Sequence, residues 1–143
     1  QTIHLSGGRE MIEAAVLAAP PEMLLLGVTV LTSVDQAALR EIGVDSPMEK
    51  QVLHLAQLGV DSGIGGVVAS PLEIAPLRHV HGSKLQIVTP GIRPRDAATN
   101  DQKRTLTPAE ALRAGADFLV IGRPITAAPN PRAALEQIVA DAI

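Results

Sequence analysis

The sequence has 143 residues, the size of one ordinary domain, with 12 basic against 15 acidic side chains and a formal net charge of -3. That balance supplies no general field for nucleic acid, and the absence of cysteine excludes a disulfide framework and any thiolate metal site. Mean hydropathy is high at +0.23, yet the longest apolar stretch, Met23 to Leu31, is about half of what a membrane-spanning helix needs.

Thr2 to Leu5 reads as a short strand, and Gly7-Gly8 after it as a tight turn into a helix, with an anion cradle as the alternative. Leu24 to Leu31 is a second strand; Thr32 then ends it or caps a helix starting near Val34. Gly43 stops that helical pattern, and Ser46-Pro47-Met48-Glu49 sets a hydroxyl, a proline and a carboxylate at N-cap, N1 and N3. This is the capping box with a pre-set first turn. Gly63 closes the next helical segment, whose His54 lies inside an amphipathic pattern, and leads with Gly65-Gly66 into a strand over Gly65 to Ala69. These glycines lack the three-glycine dinucleotide fingerprint.

Ser70-Pro71-Leu72-Glu73 repeats the box, and its helix ends on His79 and His81. No third ligand is spaced to join that pair, so cations at a helix C-terminus are the plainer reading than a metal site. Leu85 to Val88 is the fourth strand, and Pro94 to Asp101, without apolar periodicity, is a loop. Thr107-Pro108-Ala109-Glu110 gives a third box, Gly115 a third glycine stop, and Phe118 to Ile121 a fifth strand. Asn130-Pro131 opens a final helix whose Leu135, Ile138 and Val139 recur at helical spacing.

Continuous apolar runs are what strands covered on both faces require, and β followed by α about five times argues for a parallel sheet with right-handed crossovers. Both a doubly wound sheet and a (β/α) barrel fit. An eight-unit barrel needs roughly 200 to 250 residues, so five units would leave two strand edges open. Gln1 is not an initiator methionine, and the chain is expected to begin inside a longer protein.

Two arginines, Arg93 and Arg123, each follow an apolar run directly, where strand-end loops build sites and a rigid guanidinium fork suits phosphate or carboxylate. The competing readings are a loop ion pair of Arg93 with Asp96 or Asp101, and a surface residue opening a helix for Arg123.

The combination VTPGIRP, DQKR, TP and VIGRPIT between Ile87 and Thr126 resembles the C-terminal part of the bacterial orotidine 5'-phosphate decarboxylase family. Ile3-His4-Leu5-Ser6-Gly7-Gly8 with Met11 resembles that family's fourth strand and turn, and Gly27-Val28-Thr29-Val30-Leu31-Thr32-Ser33 its fifth strand. The resemblance covers essentially the whole chain. It implies an α/β fold, a (β/α)8 TIM barrel of which residues 1–143 supply about the last five units of a single domain, with the first three strands absent.

The resemblance further implies decarboxylation of orotidine 5'-phosphate to uridine 5'-phosphate in pyrimidine biosynthesis, without metal or organic cofactor. In the family the charged catalytic set lies mostly on strands two and three, in an Asp-x-Lys-x-x-Asp motif. Asp101-Gln102-Lys103 matches it only in part, because Leu106 stands where the second aspartate belongs. No catalytic residue is therefore expected in this chain, and the isolated chain is expected to be inactive. By their places in the motifs, Arg123 resembles the phosphate-binding arginine, with Gly122 beside it, and Gln102 the glutamine bridging phosphate and base. Arg93 resembles the arginine at the root of that loop, and Thr32 the hydroxyl residue that contacts the base.

The expected partner is a small-molecule nucleotide rather than nucleic acid or a membrane, and the complete protein is expected to be a cytoplasmic homodimer. Two alternatives stand beside this: a related phosphosugar barrel, which normally employs a metal, and a non-catalytic half-barrel that binds a nucleotide or another chain.

Overall fold

A computed structural model describes residues 1–94 and 105–142. Five strands, β1 (Thr2–His4), β2 (Leu26–Val28), β3 (Gly66–Val68), β4 (Gln86–Thr89) and β5 (Phe118–Leu119), pair in chain order, every pair parallel. The helices are α1 (Arg9–Ala18), α2 (Gln36–Glu41), α3 (Met48–Asp61), α4 (Ile74–His81), α5 (Pro108–Ala114), α6 (Arg123–Thr126) and α7 (Pro131–Ala142). No described helix is long and apolar enough to cross a membrane. A doubly wound sheet reverses its strand order at a switch point, whereas this sheet never does. The arrangement is the singly wound one of a (β/α) barrel wall.

The core lies between the sheet and its helices. Val67 of β3 and Ile87 of β4 are fully buried, as are Leu5, Ile12 of α1, Val52 of α3, Ile74 and Leu77 of α4, and Ala111 of α5. Burial of the strands on both faces, expected from their unbroken apolarity, does not hold. Along β2 and β4 buried and half-buried residues alternate, so Gly27, Ile87 and Thr89 share the covered face while Leu26, Val28, Gln86 and Val88 do not. Phe118, paired with Val88, is 52% exposed. The face opposite the helices is mainly apolar and only partly covered among the described residues.

On that open face Leu26, Gly66 and Gln86 stand in one row of the ladder. A Cβ at Gly66 would come within 2.7 Å of the Gln86 carbonyl oxygen and 2.8 Å of both Gln86 Cβ and Leu26 Cδ2. The row closes only because the middle strand contributes no side chain.

The helix starts divide. Thr107 makes the full capping box with Glu110: the Glu110 amide donates to Thr107 Oγ1 at 3.3 Å and the Thr107 amide donates to Glu110 Oε2 at 2.9 Å. Asn130 caps α7 through the Ala133 amide at 3.1 Å. The boxes expected at Ser46 and Ser70 do not form. At α3 Pro47 takes the cap position, and Gln36 of α2 replaces the serine, accepting from the Met48 amide at 2.8 Å and donating to the Ser46 carbonyl at 3.1 Å. At Ser70 the chain enters a 3-10 turn over Pro71–Glu73 with no side-chain cap, and Glu73 is buried. The helix expected from Val34 begins at Gln36, capped by Asp35, whose Oδ1 accepts from the Ala38 amide at 3.0 Å. The glycine stops at 43, 63 and 115 all have positive φ. In α7 only Ile138 is buried, while Leu135 and Val139 stay about half-exposed.

Gly66→Ala should destabilise the fold by about 1–3 kcal/mol, since the new methyl meets backbone. Gly65→Ala, which meets only the mobile end of half-exposed Leu24, should cost clearly less; paired denaturant melts measure the difference. A second expectation concerns His81, whose Nε2 is buried without a partner among the described residues. Burial holds its pKa below the ordinary value, with nearby Asp61 opposing. The folded state thus prefers neutral imidazole, so this contribution is complete above the unfolded-chain pKa of about 6.5 and is lost as pH falls through it. Melts from about pH 8 to about pH 5 should fall more steeply in the parent chain than in His81→Gln.

Candidate functional site

In a sheet of this kind the loops beyond the C-terminal strand ends form the site, so the rim is fixed by the ladder register. Thr89 of β4 pairs with Leu119 of β5, and Arg93 and Arg123 each stand four residues beyond that pair. Thr32 stands four residues beyond Val28 of β2 on the same rim. The spacing read from sequence thus becomes a spatial relation: Arg93 and Arg123 stand equally far beyond a paired position, and Thr32 rises from the same rim one position short of them, because Val28 aligns with Val88.

Their surroundings differ. Thr32 is buried at 8% exposure. Arg93 is buried at 7%, its Nη1 donates 2.8 Å to the carbonyl of Ile92, and its Nε is buried with no hydrogen-bond partner among the described residues. Arg123 is exposed and opens α6, with Gly122 before it at φ -103 and ψ -100. A Cβ on Gly122 would meet nothing within 4 Å, so the backbone there faces open space. Gln102 lies outside the described residues, as does the loop beyond Pro94 through Asp101. The two flanks of that loop are joined: Ile92 bridges Leu106 in parallel, and the Arg93 amide donates to the Leu106 carbonyl at 3.0 Å.

Around these residues the rim carries hydroxyls. Thr29 Oγ1 donates to the Val68 carbonyl at 3.0 Å, tying the end of β2 to β3. Ser70 and Thr89, at the ends of β3 and β4, are fully buried, and neither hydroxyl has a partner among the described residues. Neither was singled out from sequence as a rim residue; the available signal was a hydroxyl side chain directly ending an apolar run. A cavity of about 370 Å3 lies instead between α5 and α7, lined among others by Pro94, Thr107, Arg113 and Asp141. Thr32, Arg93, Gly122 and Arg123 are not among its lining residues. His79 and His81 fall in the last turn of α4, and no group of three or more His, Cys, Asp or Glu among the described residues could hold a metal ion.

At the opposite end of the strands sits a residue that sequence reading passed over. Arg78, in the last turn of α4, hydrogen-bonds the carbonyls of Gly82, Leu85 and Gly115, each at 2.7 Å, and the carboxylate of Asp117. Its acceptors are remote in sequence, which is why local pattern did not reveal it.

The family profile described as "Orotidine 5'-phosphate decarboxylase / HUMPS family" matches residues 1–138. The chain is 57% identical over 143 residues to the orotidine 5'-phosphate decarboxylase of Opitutus terrae, an alignment covering 98% of this chain and 62% of that protein. It is 51% identical over 139 residues to the protein of the same name from Anaeromyxobacter sp., covering 97% and 61%. Among solved structures it is similar to orotidine 5'-phosphate decarboxylase from Lactobacillus acidophilus, with a TM-score of 0.81 and 39% identity over 99% of this chain and 62% of that one. The chain therefore spans about three-fifths of the length of these relatives, and its five-stranded arc is part of a TIM barrel.

Proposed function

This chain belongs to the orotidine 5'-phosphate decarboxylase / HUMPS family, and we propose that it is the ligand-gripping side of an orotidine 5'-phosphate decarboxylase. The observation that carries this reading is the position of exposed Arg123, directly after Gly122 at the rim end of β5. A guanidinium offers phosphate a planar fork of donors, and the side-chain-free backbone beside it lets an anion approach closely. Thr32 would contact the base, and Gln102 would bridge base and phosphate from the segment that Arg93 roots.

The phosphate is remote from the carboxylate that leaves. Gripping it lowers the barrier only if the binding energy orients the pyrimidine and closes the site over it. The reaction breaks the bond between C6 and the carboxylate, releases carbon dioxide, and delivers a proton to the electron pair left at C6. Such a carbanion-like centre needs a cation and fixed carboxylates placed in advance, and the sequence lacks the Asp-x-Lys-x-x-Asp set that the family uses for this. We assign that set to the three βα units not represented here, which would also cover the apolar open face of the sheet. In this reading the complete enzyme is a cofactor-free lyase, cytoplasmic and homodimeric, and the present chain alone is inactive.

Calorimetric titration of the 143-residue chain with uridine 5'-monophosphate and with uridine, with turnover of orotidine 5'-phosphate assayed in the same sample, tests this. Arg123→Ala should weaken uridine 5'-monophosphate by roughly 10- to 100-fold and leave uridine nearly unchanged, as expected for a charge-assisted contact. Equal losses on both ligands would remove Arg123 from the phosphate role. Turnover by the chain alone would refute the placement of the chemistry outside it.

A further inference from the structure

We propose that Arg78 is a positioning residue for the anion grip: by clamping the entry of β5 to β4 and to the turn leaving α4, it sets where Gly122 and Arg123 stand at the far end of the strand. This role rests on the reading of Gly122 and Arg123 as the phosphate site.

β5 is short and lies at the edge of the sheet: it is two residues long and ends the ladder, with Phe118 52% exposed. At its rim end the Val120 amide donates to the Thr89 carbonyl at 2.9 Å, just beyond the two ladder pairs Val88–Phe118 and Thr89–Leu119. At its entry Asp117 forms a reciprocal pair with Ile87: the Asp117 amide donates to the Ile87 carbonyl at 3.0 Å, and the Ile87 amide donates to Asp117 Oδ2 at 2.7 Å. That same Oδ2 is held by Arg78 Nη2. The carboxylate thus supplies the pairing that a longer strand would take from backbone, and the arginine fixes the carboxylate.

Arg78 does this from a rigid base. Its Nε donates to the Gly115 carbonyl and its Nη1 to the Gly82 and Leu85 carbonyls, each at 2.7 Å. The turn from α4 into β4 and the turn from α5 into β5 are therefore joined through one planar group, which an ammonium could not reproduce. The second turn is shaped around it. A Cβ at Gly115, where φ is 108, would lie 2.8 Å from Arg78 Cγ and 3.1 Å from its Nε.

The side chains of Arg78 and Asp117 are only 18% and 31% exposed, so the pair is a largely buried, charge-assisted contact whose direction the planar fork sets. A slip of one residue at Asp117 would move the strand by about 3.3 Å and exchange its faces, displacing Arg123 from the height of its neighbours.

The test follows amide resonances of the 143-residue chain titrated with uridine 5'-monophosphate and with uridine, in the parent, Arg78→Lys and Arg123→Ala. Arg78→Lys keeps the charge and loses the fork. It should lower the preference for the phosphorylated ligand roughly three- to thirtyfold, with uridine affinity unchanged and with faster hydrogen exchange at Val120 but not at Ala69. Partial unfolding would weaken both ligands by one common factor and leave their ratio untouched. An unchanged ratio in Arg78→Lys beside a collapsed ratio in Arg123→Ala would overturn the positioning role while sparing the phosphate reading. No phosphate preference in the parent, or none lost in Arg123→Ala, would remove both. If Arg78→Lys does not fold, Asp117→Asn, which keeps an acceptor for Ile87 without the charge, should shift the ratio in the same direction. An unchanged ratio there overturns the role equally.

Discussion

Parallel pairing of five strands in chain order constrains everything else in this chain. Because each strand enters the sheet from the same end, every loop that follows a strand emerges on one rim and every loop that follows a helix returns on the other. Residues separated by tens of positions are thereby brought to one edge: Arg93 and Arg123 stand equally far beyond a paired position, and Thr32 one position short of them. The register in turn depends on close approach within the sheet, where Gly66 lets Leu26 and Gln86 meet across it. A side chain at that position would push apart the central pair on which both flanks are aligned.

The two rims carry different kinds of polar chemistry. On the returning rim hydrogen-bonding capacity is used up: Arg78 serves three carbonyls and one carboxylate, and Asp117 answers both polar groups of Ile87. On the emerging rim capacity is left over, with the buried hydroxyls of Ser70 and Thr89 and the Nε of Arg93 lacking partners among the described residues. Satisfied networks make for rigidity, while buried polar atoms with spare valence carry a desolvation cost that a ligand or water can relieve. This division matches the general habit of parallel barrels, in which one face holds the fold and the other holds the substrate.

The strands were legible in the sequence because apolar runs bounded by turn residues leave little else to choose. Their boundaries shrank in the structure, from Leu24 to Leu31 down to Leu26–Val28 for β2, since pairing needs a partner at each position and apolarity does not. The same runs misled about burial. Unbroken apolarity records a demand for cover on both faces, and the second cover does not lie within these residues. Capping was legible only where it is local. Thr107 and Asn130 act within their own first turns, whereas α3 takes its cap from Gln36, twelve residues upstream of Met48. Arg78 escaped for the same reason, as its carboxylate partner is thirty-nine residues away.

Arg93 and Arg123 separate on this point. They occupy equivalent heights on adjacent strands, yet one is buried and the other exposed, because β4 is flanked on both sides and β5 on one. Exposure keeps water around the Arg123 side chain. An ion pair about 4 Å long in water yields only about 1 kcal/mol, and several times that once solvent is partly excluded. A further strand beside β5 would both cover Phe118 and lower the dielectric around the rim. The open face and the proposed anion grip are therefore linked: closure of the surface left open by the described residues is what would strengthen a contact of Arg123 with an anion.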